Sequence, residues 1–196
     1  MKTFSQWMNE NSGKKKIFVL VGPPSVGKST WIQSNFPEKP YIISRDHIVD
    51  RVAKDMGLTY DDMFGQSPEI KAANDLINSK LQERINAATQ QSRDIVVDMT
   101  NMSSYARRNA LKAVAGRESE YEKIAVLFPF QGAEDVIKRV AARRAAEVKA
   151  QGGSKTIPDA AFDRMFANYE DISPSEGFDK VVHQDNRELL HQLANS

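Results

Sequence analysis

The chain has 196 residues, 40% of them apolar and 27% charged, with a formal net charge of +1; these are ordinary values for one globular domain with a sizeable core. It has no cysteine, which excludes a disulfide framework, a thiol nucleophile and a Cys-based zinc site. No apolar run approaches the roughly 18 residues of a bilayer span. The small net charge excludes no nucleic-acid partner, because affinity depends on where the basic residues lie.

Residues 1–13 read as a short amphipathic helix, with Phe4, Trp7 and Met8 on one face and Asn11-Ser12-Gly13 as its stop. It is expected to pack over a sheet edge; the alternative is a processed or targeting leader. The uninterrupted apolar core of a secretory signal is missing. Residues 17–21, Ile-Phe-Val-Leu-Val, form a buried strand. The pattern G-x-x-x-x-G-K-[ST] follows directly, filled by Gly22, Pro23, Pro24, Ser25, Val26, Gly27, Lys28 and Ser29, with Thr30 next. Its glycines let successive backbone amides face one phosphate. In such a loop the lysine, Lys28, reaches the β- and γ-phosphates and Ser29 takes a place on Mg²⁺. The following helix presents its N-terminus to the anion. The pattern therefore predicts binding of ATP, or GTP, with Mg²⁺.

The helix after the loop runs to about Phe36, where Pro37 and Pro40 break it. Residues 41–44 are a second short strand, ending at Arg45-Asp46-His47 and a helix to about residue 56. Residues 57–68 read as a loop and 69–91 as a long helix with Ile70, Ala73, Leu76, Ile77, Leu81 and Ile85 at helical spacing. Residues 95–98 are a third buried strand, 103–115 a helix capped by Gly116, and 124–128 a fourth strand. A helix spans 134–151 and stops at Gly152-Gly153; another follows Pro158 to about Tyr169. A fifth strand over 180–183 and a terminal helix over 187–193 complete the chain. This alternation predicts an α/β fold: a parallel sheet of about five strands, helices on both faces, and a helical lid, all in a single domain over residues 1–196.

Ligands in such sheets lie beyond the carboxyl ends of the strands, so three strand ends should share one cleft. The first carries the phosphate loop. The second carries Asp46, placed to orient an acceptor hydroxyl and take its proton; simple helix capping is the bland alternative. His47 would point elsewhere. The third carries Asp98, a second carboxylate directed at Mg²⁺, or else a cap for the next turn. Residues 134–157 form a basic lid region in which Arg139 and Arg143, four apart, share a helix face. A lid arginine on the transferred phosphoryl group is preferred over a solvated basic face. Arg107 and Arg108 could face substrate phosphate or solvent.

The stretches GPPSVGKSTW, ISRD, VVDMTN, IKRVAARR and SKTIPDAAFDRMFANYE together resemble, in the same order from Ile17 to about Tyr169, the kinase domain of T-even-phage polynucleotide kinase. The wider group includes zeta-toxin-like kinases and phage kinases acting on hydroxymethyluracil in DNA. The resemblance implies transfer of the γ-phosphoryl of ATP to a hydroxyl. It makes Asp46 the general base, Lys28 and Ser29 the loop lysine and Mg²⁺ serine, and Asp98, Thr100 and Asn101 the motif after the third strand. Arg143 becomes the lid arginine on the phosphates and Arg139 the basic residue one turn earlier. The opening MKTFSQWMNE is similar to leaders of T-even-type phage proteins, which implies a phage protein working in the host cytoplasm. Two departures bear on the acceptor. Val49 stands where the polynucleotide kinase has an arginine that holds the acceptor's own phosphate, and the lid is longer between Arg144 and Lys155. A lone kinase domain is expected, with no phosphatase part. The expected acceptor is the hydroxymethyl group of a modified pyrimidine in DNA, which would have to leave the stack to reach Asp46. A 5′-hydroxyl DNA or RNA end and a small metabolite or nucleoside are the alternatives, and a nucleotide-binding switch without transfer is the reading from another class. No membrane partner is expected.

Overall fold

A computed structural model describes residues 13–36, 38–185, 188 and 192. The expected N-terminal helix lies outside the described residues, and so does most of the expected terminal helix. The order of elements is β1 (Lys15–Val21), α1 (Lys28–Asn35), β2 (Tyr41–Ile43), α2 (Arg45–Asp55), α3 (Pro68–Ala88), β3 (Ile95–Val97), α4 (Ser104–Leu111), β4 (Tyr121–Leu127), α5 (Glu134–Ala150), α6 (Asp159–Ala167) and β5 (Lys180–His183). Short 3₁₀ turns lie at Asp61–Phe64, Lys112–Val114, Glu118–Glu120 and Pro174–Glu176.

The five strands form one sheet in the order β2-β3-β1-β4-β5, every pair parallel. β1 is central, and its residues alternate between two cores as a pleated strand requires. Ile17, Val19 and Val21 join one core, with Tyr41, Ile85, Ile95 and Val97. Phe18 and Leu20 join the other, with Val26, Trp31, Ile137 and Phe162. Both faces are apolar because helices cover both. A satellite cluster of Val49, Val52, Tyr60, Met63, Ile70 and Ile77 packs α2 against α3 and the turn between them. No helix among the described residues is long and apolar enough to cross a membrane.

The expected elements are all present within the described residues, with shifted ends. β4 begins three residues early because Tyr121 is buried and its hydroxyl donates to the Gln91 carbonyl at 2.9 Å. α2 begins at Arg45 rather than Ile48, with Ser44 as its N-cap. The helix expected over 103–115 tightens after Leu111 into a 3₁₀ turn. The loop expected over 57–68 contains a 3₁₀ turn pinned by Asp62, which accepts from the Thr59 amide and hydroxyl at 2.8 and 2.6 Å. On α3, Leu76 is 45% exposed while Ile70, Ala73, Ile77 and Ile85 are buried.

Candidate active site

The site is built on the carboxyl end of β1. Gly22 has φ +153°, and a Cβ there would stand 3.1 Å from Phe128 Cβ and 3.2 Å from Phe128 O, so only glycine lets the chain leave the strand this way. Its amide donates to the Thr100 carbonyl at 2.9 Å, tying the phosphate loop to the segment after β3. Ser25 (φ 67°) and Gly27 (φ 98°) both adopt left-handed backbone, a geometry that gathers successive amides into a concave anion cradle. α1 starts with no side-chain cap and no acidic residue in its first turn; its opening amides and dipole face the same cradle. Lys28 folds over the loop, Nζ donating to Gly22 O at 2.7 Å and Pro23 O at 2.9 Å. Burial pulls its pKa down to about 8, opposed by the charges of Asp98 and Asp46.

The three expected strand ends converge. Asp98 follows β3, and its amide donates to Ile43 O at 2.8 Å, fixing its place beside β2. Burial raises the pKa of Asp98, with Lys28 opposing and Asp46 adding to the shift. Lys28, Asp46 and Asp98 therefore act on one another. Ser29 is exposed at the start of α1. Ser29 and Asp98 offer oxygen donors of the kind a hard divalent cation takes. Among the described residues no cluster of three or more His, Asp or Glu is placed to hold a metal ion.

Asp46 sits in the first turn of α2, whose N-cap is Ser44, so capping is not its task. Its Oδ1 accepts from the Tyr60 hydroxyl at 3.2 Å and its Oδ2 faces Lys155 Nζ at 3.2 Å. Lys155 also lies 3.9 Å from Asp50 Oδ2 and 4.7 Å from the centroid of the Tyr60 ring. Burial, then the charge of Asp46, raises the Tyr60 pKa, so this hydroxyl stays a donor. The segment carrying Lys155 is held by Thr156, whose amide donates to Asp61 Oδ1 at 2.7 Å. Sequence reasoning missed Tyr60 as a partner of Asp46. The available signal was a pair of aromatics, Tyr60 and Phe64, inside an otherwise polar loop.

Two residues of the segment after β3 act within the fold. Asn101 is buried in left-handed backbone, and its Nδ2 donates to Leu20 O at 2.8 Å. Arg107 faces neither phosphate nor solvent. It is 0% exposed and clasps Glu176 through Nε–Oε2 at 2.6 Å and Nη2–Oε1 at 2.8 Å. Its Nη1 donates to the carbonyls of Asn101 and Met102 at 3.3 and 3.1 Å. Arg108 is exposed.

The lid residues lie on α5. Arg139 is exposed, and Arg143 Nε stands 3.8 Å from Glu147 Oε1 one turn on. The helix ends in a turn in which the Gly153 amide donates to Val148 O at 2.9 Å and a Cβ on Gly153 would strike Val148 Cγ1 at 2.8 Å. α5 is tied to α6 by Lys138 and Asp163 at 2.6 Å. On the other side of the phosphate loop, a pocket of about 190 Å³ lies between α1 and the end of β5, lined by Val26, Thr30, Trp31, Asn35, Phe128 and Gln184 among others.

A family model described as an AAA domain matches residues 17–172. A candidate kinase from Chloroflexus aurantiacus J-10-fl is similar in structure, with a TM-score of 0.54 at 13% identity over 93% of this chain and 95% of that one. Chaetomium thermophilum Kti12, solved in complex with ADP-AlF3, has a TM-score of 0.52 at 12% identity over 91% and 95%. A fungal RNA kinase has a TM-score of 0.47 at 16% identity over 92% and 82%. The chain belongs to the AAA domain family, with the parallel five-stranded α/β fold of P-loop kinases.

Proposed function

We propose that the protein is an ATP-dependent phosphotransferase whose acceptor is an alcohol. The observation that carries this reading is the convergence of Lys28, Asp98 and Asp46 from three strand ends, close enough for each to shift or oppose the titration of another. A nucleotide switch has no use for Asp46, a carboxylate that neither caps its helix nor lies buried.

In this reading the amides of the loop and Lys28 hold the β- and γ-phosphates, with the nucleoside toward the pocket beside α1. Mg²⁺, held by Ser29 and Asp98 with phosphate oxygens, would neutralise charge on the phosphates. Asp46 accepts the acceptor's hydroxyl proton as the oxygen attacks the γ-phosphorus; the new O–P bond forms, the bond to the β-phosphate oxygen breaks, and ADP leaves. Arg143 from α5 supports charge on the moving phosphoryl group, and Arg139 contacts the nucleotide phosphates. Positioning and electrostatics supply most of the rate.

For the acceptor we infer the hydroxymethyl group of 5-hydroxymethyluracil in DNA, a step of base hypermodification in a phage. Val49, which stands three residues past Asp46, is 1% exposed in the α2–α3 cluster. That position offers no cation to an acceptor phosphate, which favours a hydroxyl on a base over one on a 5′ end. The test is transfer from γ-labelled ATP to three acceptors in parallel: duplex DNA containing hydroxymethyluracil with phosphorylated ends, unmodified DNA with free 5′-hydroxyls, and mixed nucleosides. Label inside the modified duplex is expected. Label only on free ends would make the protein a polynucleotide 5′-kinase, and label in neither DNA would refute a DNA acceptor.

A further inference from the structure

The wall beside Asp46, formed by α2 and the turn after it, carries charges of both signs. Asp46, Asp50, Asp55, Asp61 and Asp62 lie on it with Arg45, Arg51 and Lys54, and Lys155 reaches it from the chain after α5. Arg45 is turned toward Asn74, Nη2 lying 3.5 Å from its Oδ1. Lys155 is divided between two carboxylates and the Tyr60 ring. The same wall carries an apolar flat surface. Phe64 is 60% exposed, and its ring lies 5.3 Å from the Tyr60 ring, tilted by 56°. Tyr60 in turn touches Asp46 through its hydroxyl. Beyond its contact with Tyr60, most of the Phe64 ring is left to water, and a flat partner would cover it.

We propose that Phe64, backed by Tyr60, is the stacking platform of the acceptor subsite, and that it takes an uncharged heteroaromatic ring bearing the hydroxyl to be phosphorylated. The inference rests on the proposed function, in which Asp46 is the acceptor's base, and adds to it the surface that would hold the planar ring. Stacking on Phe64 would set the ring edge toward Asp46, and the hydroxyl would take the place that Tyr60 OH or Lys155 Nζ holds on that carboxylate.

The test reads binding and transfer separately. A short 5′-phosphorylated single strand with one central 5-hydroxymethyluracil is titrated by fluorescence anisotropy, at fixed salt, against the wild type and against F64A, F64L and F64W. Base–aromatic stacking of about 1–3 kcal/mol per base corresponds to a loss on the order of tenfold in F64A. F64L keeps apolar bulk without a flat face and is expected to lose about as much, while F64W keeps wild-type binding. Phe64 is exposed, so unchanged melting temperatures are expected for all three. Equal binding by the four proteins, or no binding by the wild type, overturns the platform. Transfer of label from ATP to the same strand is scored alongside. Label that does not depend on Phe64 removes the platform and keeps the transferase, whereas Phe64-dependent binding without label overturns Phe64 as part of an acceptor subsite and leaves it a base-binding surface.

Discussion

The charge of Asp46 acts on Lys28, and the tasks proposed for the two residues can be separated by pH and by substitution. Burial lowers the Lys28 pKa to about 8, well under the ordinary lysine value of about 10.4. Phosphates beside the amine favour its charged form, so nucleotide binding must raise that pKa. Between about pH 8 and the ordinary lysine range, binding then takes up a proton, and affinity falls as pH rises through 8. Titration calorimetry in two buffers of different ionisation enthalpy at pH 8.5 should show this uptake; equal heats would mean that Lys28 does not sense the phosphates. The same shift has a stability sign: the folded state binds fewer protons than the unfolded one above pH 8, so this residue's contribution to stability rises with pH through that window. Asp46→Asn keeps shape and removes the proton acceptor. Loss of a positioned base costs roughly 10²–10⁴ in rate, so turnover should fall by that order while ATP affinity stays within about threefold. Unchanged turnover in a stopped assay would end the assignment of Asp46 as the base.

At the scale of elements, the segment after β3 positions the phosphate loop from behind. Thr100 O receives the Gly22 amide, Asn101 holds Leu20 O, and Arg107 holds the next two carbonyls while locked to Glu176. Glu176 closes a capping box with Ser173 and accepts from its amide at 2.9 Å. Breaking a buried pair by removing one partner costs about 3–5 kcal/mol, so Glu176→Ala should lower unfolding free energy by that order in a denaturant titration. The hydrogen bond from Arg107 is the largest cause that lowers the Glu176 pKa; its stabilisation is present above the ordinary glutamate pKa and is lost as pH falls below it. If Glu176→Ala unfolds with the wild-type midpoint, the clasp is not structural. This residue pair also marks what the sequence hides. The phosphate loop, Asp46 and Asp98 are legible because each follows a short apolar strand, and strand ends are where parallel sheets place ligands. Arg107 gives no such signal: an arginine beside another on a helix reads as surface, and its partner is 69 residues away. Lys155 and Tyr60 were equally hidden, since neither the Gly-Gly turn nor the polar loop reveals that they meet over Asp46. Spacing reveals periodic burial and local motifs, whereas a side chain's partner depends on crossings that only the assembled topology sets.

Across the whole molecule, the strand order divides the cleft into two sides. The pocket beside α1 lies toward β4 and β5, and Asp46 lies at the opposite edge on the end of β2, with the phosphate loop on β1 between them. The chain that leaves β4 through α5 reaches Lys155 next to α2. It therefore runs from the end of β4 toward the end of β2. Arg143 stands midway along α5 on that path. If it supports charge that develops only during transfer, Arg143→Ala should lower kcat by about 10²–10³ with little change in ATP affinity; a matched fall in thermal stability without a kinetic effect would return the helix to a solvated face. The two-sided cleft also sets the kinetic order. On the proposed reading, nucleotide and acceptor would occupy different ends of one groove, with Asp46 taking a proton rather than a phosphoryl group. Direct transfer then requires both substrates to be bound together, and initial-rate plots at varied ATP and acceptor should intersect. ADP should compete with ATP and not with the acceptor, because its seat is on the far side of the phosphate loop. Parallel lines, with exchange of label between ATP and ADP in the absence of acceptor, would instead mean that a side chain carries the phosphoryl group. The division of labour between the two sides would then be wrong, even with every distance at Asp46 unchanged.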